Sequence, residues 1–101
     1  MPSIITSHLE DIAAICRANG IRRLFVFGSA AQDTFDPESS DLDFQVDLGE
    51  YDSSVGRRYR RFVTELHLFF GRDVDVITSR SRGNPRFLAE VERTRKLIYE
   101  V

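Results

Sequence analysis

Leu24-Phe25-Val26-Phe27-Gly28-Ser29 and, after a polar connection, Asp41-Leu42-Asp43-Phe44-Gln45-Val46 are the two stretches that decide how this 101-residue chain folds. The first is a near-continuous apolar run stopped by Gly-Ser, the pattern of a buried strand leading into a tight turn. The second alternates Leu42, Phe44 and Val46 with Asp41, Asp43, Gln45 and Asp47. Period two sorts these onto opposite faces of a strand, apolar on one side and carboxylate-bearing on the other. A turn that a phosphate can approach, set beside two aligned carboxylates, suits the binding of a metal and a polyphosphate.

Ser7 and Glu10 have the spacing of a capping box, and Leu9, Ile12, Ala13 and Cys16 recur at helical intervals until Asn19-Gly20. This predicts a first helix over Ser7–Ala18, followed by a strand over Ile21–Phe27. Ser29 to Gln32 can start a short helix, and residues 33–40, with Pro37, form a loop. After a turn at 49–54, the positions Tyr59, Phe62, Val63, Leu66, Phe69 and Phe70 make one helical stripe, with Arg57, Arg58, Arg60 and Arg61 on the remaining surface. Gly71 suits a C-terminal cap, and Asp73–Thr78 reads as a third strand. Asn84-Pro85 opens a last helix with Phe87, Leu88 and Val91 on its apolar face, and residues 96–101 close as a strand. The order α-β-β-α-β-α-β predicts a single α/β domain, residues 1–101, with one small mixed sheet and helices packed against it.

Composition narrows the function. A 42% hydrophobic content is enough for a modest two-layer core. A formal net charge of −2 speaks against general nucleic-acid coating, which needs a basic excess. The lone cysteine, Cys16, excludes an intrachain disulfide and a cysteine-only zinc site; on the apolar side of its helix it reads as a small buried hydrophobe. No apolar run approaches the ~20 residues of a membrane span and no secretory signal is visible, so a cytoplasmic location is expected.

Asp41 and Asp43 lie two residues apart on one strand face, about 6.6 Å along the backbone. Carboxylates so placed can share two divalent ions ~3.5 to 4 Å apart, the arrangement used in nucleotidyl transfer, and hard oxygen ligands suit Mg²⁺. By itself the D-x-D spacing means little, since an alternating surface strand commonly shows acids to water. Gly28-Ser29 offers backbone N–H groups and a hydroxyl to a phosphate. Asp75 can complete the metal set or take a proton from an attacking hydroxyl, with Asp73 a competing choice. Asp47 reads as solvated, and His8 and His67 lack ligand spacing.

Taken together, Phe25-Val26-Phe27-Gly28-Ser29-Ala30, Ser40-Asp41-Leu42-Asp43-Phe44 and Gly71-Arg72-Asp73-Val74-Asp75-Val76-Ile77-Thr78 resemble the nucleotidyltransferase superfamily related to DNA polymerase β. The likeness is closest to the minimal nucleotidyltransferases that act as antitoxins to HEPN ribonuclease toxins. The resemblance implies the nucleotidyltransferase fold and a Mg²⁺-dependent transfer of a nucleoside monophosphate, AMP from ATP, to a hydroxyl on a HEPN-domain partner. It assigns Asp41, Asp43 and Asp75 to catalysis and a two-ion magnesium site, with Asp75 activating the acceptor, and Gly28 and Ser29 to the nucleotide. Where the family carries arginines and a glycine after Gly-Ser, this chain has Ala30, Ala31, Gln32 and Asp33. That removes charge-assisted phosphate contacts, for which the arginines on the long helix, with Arg80, Arg82 and Arg86, are candidate replacements. The change admits a second reading, a catalytically weakened module that neutralises its partner by masking it. A third, small-molecule transfer of the aminoglycoside type, lacks the additional domain needed to build an acceptor pocket.

Overall fold

The computed structural model describes residues 1–32, 34–80 and 83–101. Its elements are α1 (Ser3–Thr6), α2 (Leu9–Ala18), β1 (Arg23–Phe27), a 3-10 turn (Gly28–Ala31), β2 (Leu42–Asp47), α3 (Val55–Phe70), β3 (Val74–Thr78), α4 (Pro85–Thr94) and β4 (Lys96–Glu100). The strands form one mixed four-stranded sheet in the order β3-β2-β1-β4. β1 runs antiparallel to β2 and β4, and β2 runs parallel to β3.

The period-two pattern sets the layers. Leu24 and Val26 of β1 with Leu42, Phe44 and Val46 of β2 point to the face covered by α2 and α3, where Ile12, Cys16, Phe62 and Leu66 meet them. Burial pushes the Cys16 thiol up to about 12, so it behaves as a small hydrophobe at neutral pH. Phe25 and Phe27 point to the opposite face, which α4 covers in part through Val91 and an edge-on contact of Phe87 with Phe27. Gly71 ends α3 in the left-handed region, φ +63°, and Asn84 caps α4 by accepting from the Arg86 N–H at 2.9 Å.

Two expectations at the start of the chain are corrected. The Ser7–Glu10 capping box does not form: Ser7 closes the separate turn α1, its N–H donating to the Ser3 carbonyl at 2.8 Å, and α2 begins at Leu9 without a side-chain cap. Fully buried Ile5 anchors that extra turn, so packing outweighs the local capping signal. The first strand begins at Arg23 instead of Ile21, because Ile21 donates back to the Cys16 carbonyl at 3.0 Å in closing the helix.

Arg58 is not part of a free cationic face. Its guanidinium donates to the carbonyls of Leu48 at 3.0 Å, Gly20 at 3.2 Å and Glu50 at 2.7 Å, joining the start of α3 to two loops. Arg58→Ala is expected to cost about 2 kcal/mol in urea denaturation, because it leaves those carbonyls without donors, whereas exposed Arg57→Ala should stay within about 0.5 kcal/mol.

Candidate functional site

β2 carries Asp43 on the face away from the main core, and the register places it between Phe27 of β1 and Asp75 of β3. Directly paired parallel residues project to the same side about 4.8 Å apart, so the two carboxylates stand side by side. The same register decides between the two acidic candidates on the third strand. Asp75 meets Asp43, while Asp73 lies ahead of β3 with its side chain 95% exposed, near His67.

Asp43 responds to these surroundings. Desolvation, then the charge of Asp75 and a hydrogen bond to it, then the charge of Asp41, raise its pKa from 3.8 to about 6. Asp43 therefore holds a proton more readily than an ordinary carboxylate.

Gly28 lies against this carboxylate. It has φ +68°, and a Cβ added there would fall 2.5 Å from Asp43 Oδ2, so a side chain at this position would force the carboxylate or the turn to shift. The backbone of the strand-to-helix turn thus touches the acid, and only glycine permits that approach. Ser29 is half-buried beside it in the 3-10 turn. Ala30 and Ala31 belong to the core, so neither position has room for an arginine, while Gln32 lines the cleft.

Asp41 sits just before β2 on a loop that is held firmly. Asp36 accepts from the Glu38 N–H at 3.0 Å and the Ser39 hydroxyl at 2.8 Å, and Arg72 donates to the carbonyls of Pro37 and Ser40 while lying over the Phe35 ring. Arg72 therefore ties the approach to β3 to the residue that precedes Asp41. Sequence reasoning missed it, because nothing local marks a contact 32 residues away.

The carboxylates line an open cleft of about 510 Å³ between the sheet and α4. Phe27, Gly28, Asp43, Asp75 and Ile77 line the sheet side, and Phe87, Glu90, Val91 and Thr94 the helix side. The α4 contribution was also missed, since its sequence signals only an apolar stripe.

Among the described residues no three His, Cys, Asp or Glu side chains converge as a ready ion cage. The donor set nevertheless fits a hard divalent cation: Asp43 and Asp75 are adjacent hard-oxygen carboxylates lining one cleft, where desolvation and then the charge of Asp75 make the uncompensated Asp43 anion costly. Asp47, expected to be solvated, instead pairs with Arg23 at 2.9 Å and accepts from the Gly49 N–H. Arg58, Arg60 and Arg61 belong to the start of α3, which lies by Leu48 and Glu50 beyond the far end of β2, and Arg80 stacks on Tyr51. None of these replaces the missing phosphate cations where they stand; Arg82 lies outside the described residues.

Comparison with known proteins identifies the family and the fold. The family model described as polymerase beta, nucleotidyltransferase, matches residues 10–101. The chain belongs to that nucleotidyltransferase family. Among solved structures, this nucleotidyltransferase domain is similar to a protein described as a minimal nucleotidyltransferase, with 28% identity, 90% of this chain and 89% of that one covered, and a TM-score of 0.72. It shares its fold with a chain of a toxin-antitoxin with AMP-PNP, at 22% identity, 92% and 73% coverage and a TM-score of 0.69. The fold also recurs in a complex of tri-AMPylated Shewanella oneidensis HEPN toxin with MNT antitoxin, at 18% identity, 95% and 72% coverage and a TM-score of 0.65. No curated protein sequence matches the chain. Among the described residues no helix is long and apolar enough to cross a membrane.

Proposed function

We propose that this nucleotidyltransferase-fold chain transfers AMP from ATP to a hydroxyl on a HEPN-domain protein and thereby acts as an antitoxin in the cytoplasm. The observation that carries this reading is the adjacent Asp43–Asp75 pair on the floor of a cleft, with the Gly28 backbone against Asp43. The solved toxin-antitoxin structures that share the fold, one with AMP-PNP and one with an AMPylated HEPN toxin, support the choice of nucleotide and partner.

In this reading Asp41, Asp43 and Asp75 hold magnesium, which supplies positive charge beside the triphosphate. The turn at Gly28 and Ser29 brings backbone N–H groups and a hydroxyl to the phosphates. Asp75, the more exposed of the paired acids, takes the proton from the acceptor hydroxyl. That oxygen then bonds to the α-phosphorus, the bond from phosphorus to the bridging oxygen breaks, and pyrophosphate leaves. Phe27, Phe87 and Val91 form the apolar part of the cleft wall, against which a nucleoside can pack.

The test is incubation with α-labelled ATP, magnesium and a HEPN-domain partner. Label should move to the partner and its ribonuclease activity should fall in step. The masking module is the second reading, favoured by the buried Ala30 and Ala31 in place of phosphate-binding cations. Neutralisation without label transfer would select it.

A further inference from the structure

The described lining of the cleft contains Asp43, Asp75 and Glu90 and no lysine or arginine, so a triphosphate entering it meets mainly negative charge. Of the arginines nearby, Arg93 pairs with Glu90 and Arg23 with Asp47, while Arg72, which meets no carboxylate among the described residues, spends both Nη1 and Nη2 on the Pro37 and Ser40 carbonyls. Arg95 differs. It directly follows Thr94 of the cleft wall, and its guanidinium lies 4.0 Å from the centroid of the Phe25 ring. Its Nη1 donates to Gln45 Oε1 at 2.7 Å. Among the described residues no carboxylate pairs with it.

Gln45 is only 3% exposed and stands two residues after Asp43 on the same face of β2, about 6.6 Å along the strand. A buried amide in the middle of a sheet is costly unless it is satisfied, and here it is satisfied by aiming a cation. A neutral amide and an aromatic face orient a guanidinium without cancelling its charge, and one hydrogen bond leaves further N–H donors free. Arg23 lies over the same ring at 5.7 Å but is neutralised by Asp47, so the two arginines on Phe25 have different parts.

We propose that Arg95, aimed by Gln45 and Phe25, binds a phosphate of the nucleoside triphosphate and takes the place of the cations absent after Ser29. This rests on the nucleotidyl-transfer reading above.

The test is calorimetric titration of MgATP, and separately of adenosine, into the whole chain. Arg95→Met keeps the packing on Phe25 and removes the charge. It should weaken ATP about tenfold or more, as loss of a charge-assisted hydrogen bond does, and leave adenosine affinity unchanged. Arg95→Lys should fall between. Should the methionine variant fail to fold, Gln45→Met, which removes the aiming amide, should weaken ATP about threefold or more with adenosine again unaffected. Unchanged ATP affinity in the variants overturns the proposal, and a higher acceptor KM in its place would assign Arg95 to an acidic group on the acceptor. Equal loss of ATP and adenosine also overturns it, as a structural effect. Absence of ATP binding by the unaltered chain sinks the nucleotidyl-transfer reading, and this proposal with it.

Discussion

Asp43→Asn is expected to reduce label transfer from ATP to the HEPN partner by at least about a hundredfold while making the domain more stable at pH 8. The loss follows from position, because Asp43 is the acid that pairs with Asp75, contacts the Gly28 turn and feels Asp41. The gain follows from its pKa, raised from 3.8 to about 6, largely by desolvation. A raised carboxyl pKa means that the folded chain holds this proton more tightly than the unfolded chain. Stability from this group is therefore full below the unfolded value near 3.8, declines as pH rises, and is gone above about 6. After discounting for partial exposure, the charged carboxylate costs on the order of 1 kcal/mol above that window. Urea denaturation of both proteins at pH 4 and pH 8 reads this directly. The asparagine variant should gain on the parent between the two pH values, and magnesium should stabilise the parent more than the variant at pH 8. A variant that transfers label normally would remove Asp43 from the chemistry.

Gly28→Ala is expected to combine a stability loss of about 2 to 4 kcal/mol with near-complete loss of transfer. Two causes add. An alanine held at φ +68° is in the left-handed region, worth about 1 kcal/mol. Its Cβ would then fall 2.5 Å from Asp43 Oδ2, so the carboxylate or the turn must move. Gly71 separates the two effects, since it has φ +63° with nothing within 4 Å of the added carbon. Gly71→Ala should show the backbone cost alone, about 1 kcal/mol in the same denaturation assay, with transfer intact. If Gly28→Ala is no worse than Gly71→Ala in both assays, the turn does not position Asp43.

What could be read from the chain follows the range of each signal. The alternation through Leu42, Phe44 and Val46 sorts β2 onto two faces because side-chain direction in a strand is a property of adjacent residues. The glycine cap at Gly71 and the Asn84-Pro85 start of α4 are local for the same reason. The Ser7–Glu10 box was equally local and did not form, because burial of Ile5 in a preceding turn outweighs a cap worth about 1 kcal/mol. The arginines of α3 looked alike in sequence, yet Arg58 alone is drawn into carbonyls of two loops.

By itself, then, the sequence determined the elements after α1, the apolar faces of β2 and of the longer helices, and the acids Asp41, Asp43 and Asp75 as one candidate set beside Gly28-Ser29. Tertiary structure decided which of them meet. Strand register pairs Asp75, not Asp73, with Asp43; burial, and then that pairing, raise the Asp43 pKa; and only the folded turn shows how closely Gly28 approaches the carboxylate. Chain folding also brought Arg72 to the loop before Asp41 and Arg95 to Gln45, pairs 32 and 50 residues apart. Such contacts depend on loop closure and sheet pairing, and neither leaves a periodic trace in the residues themselves.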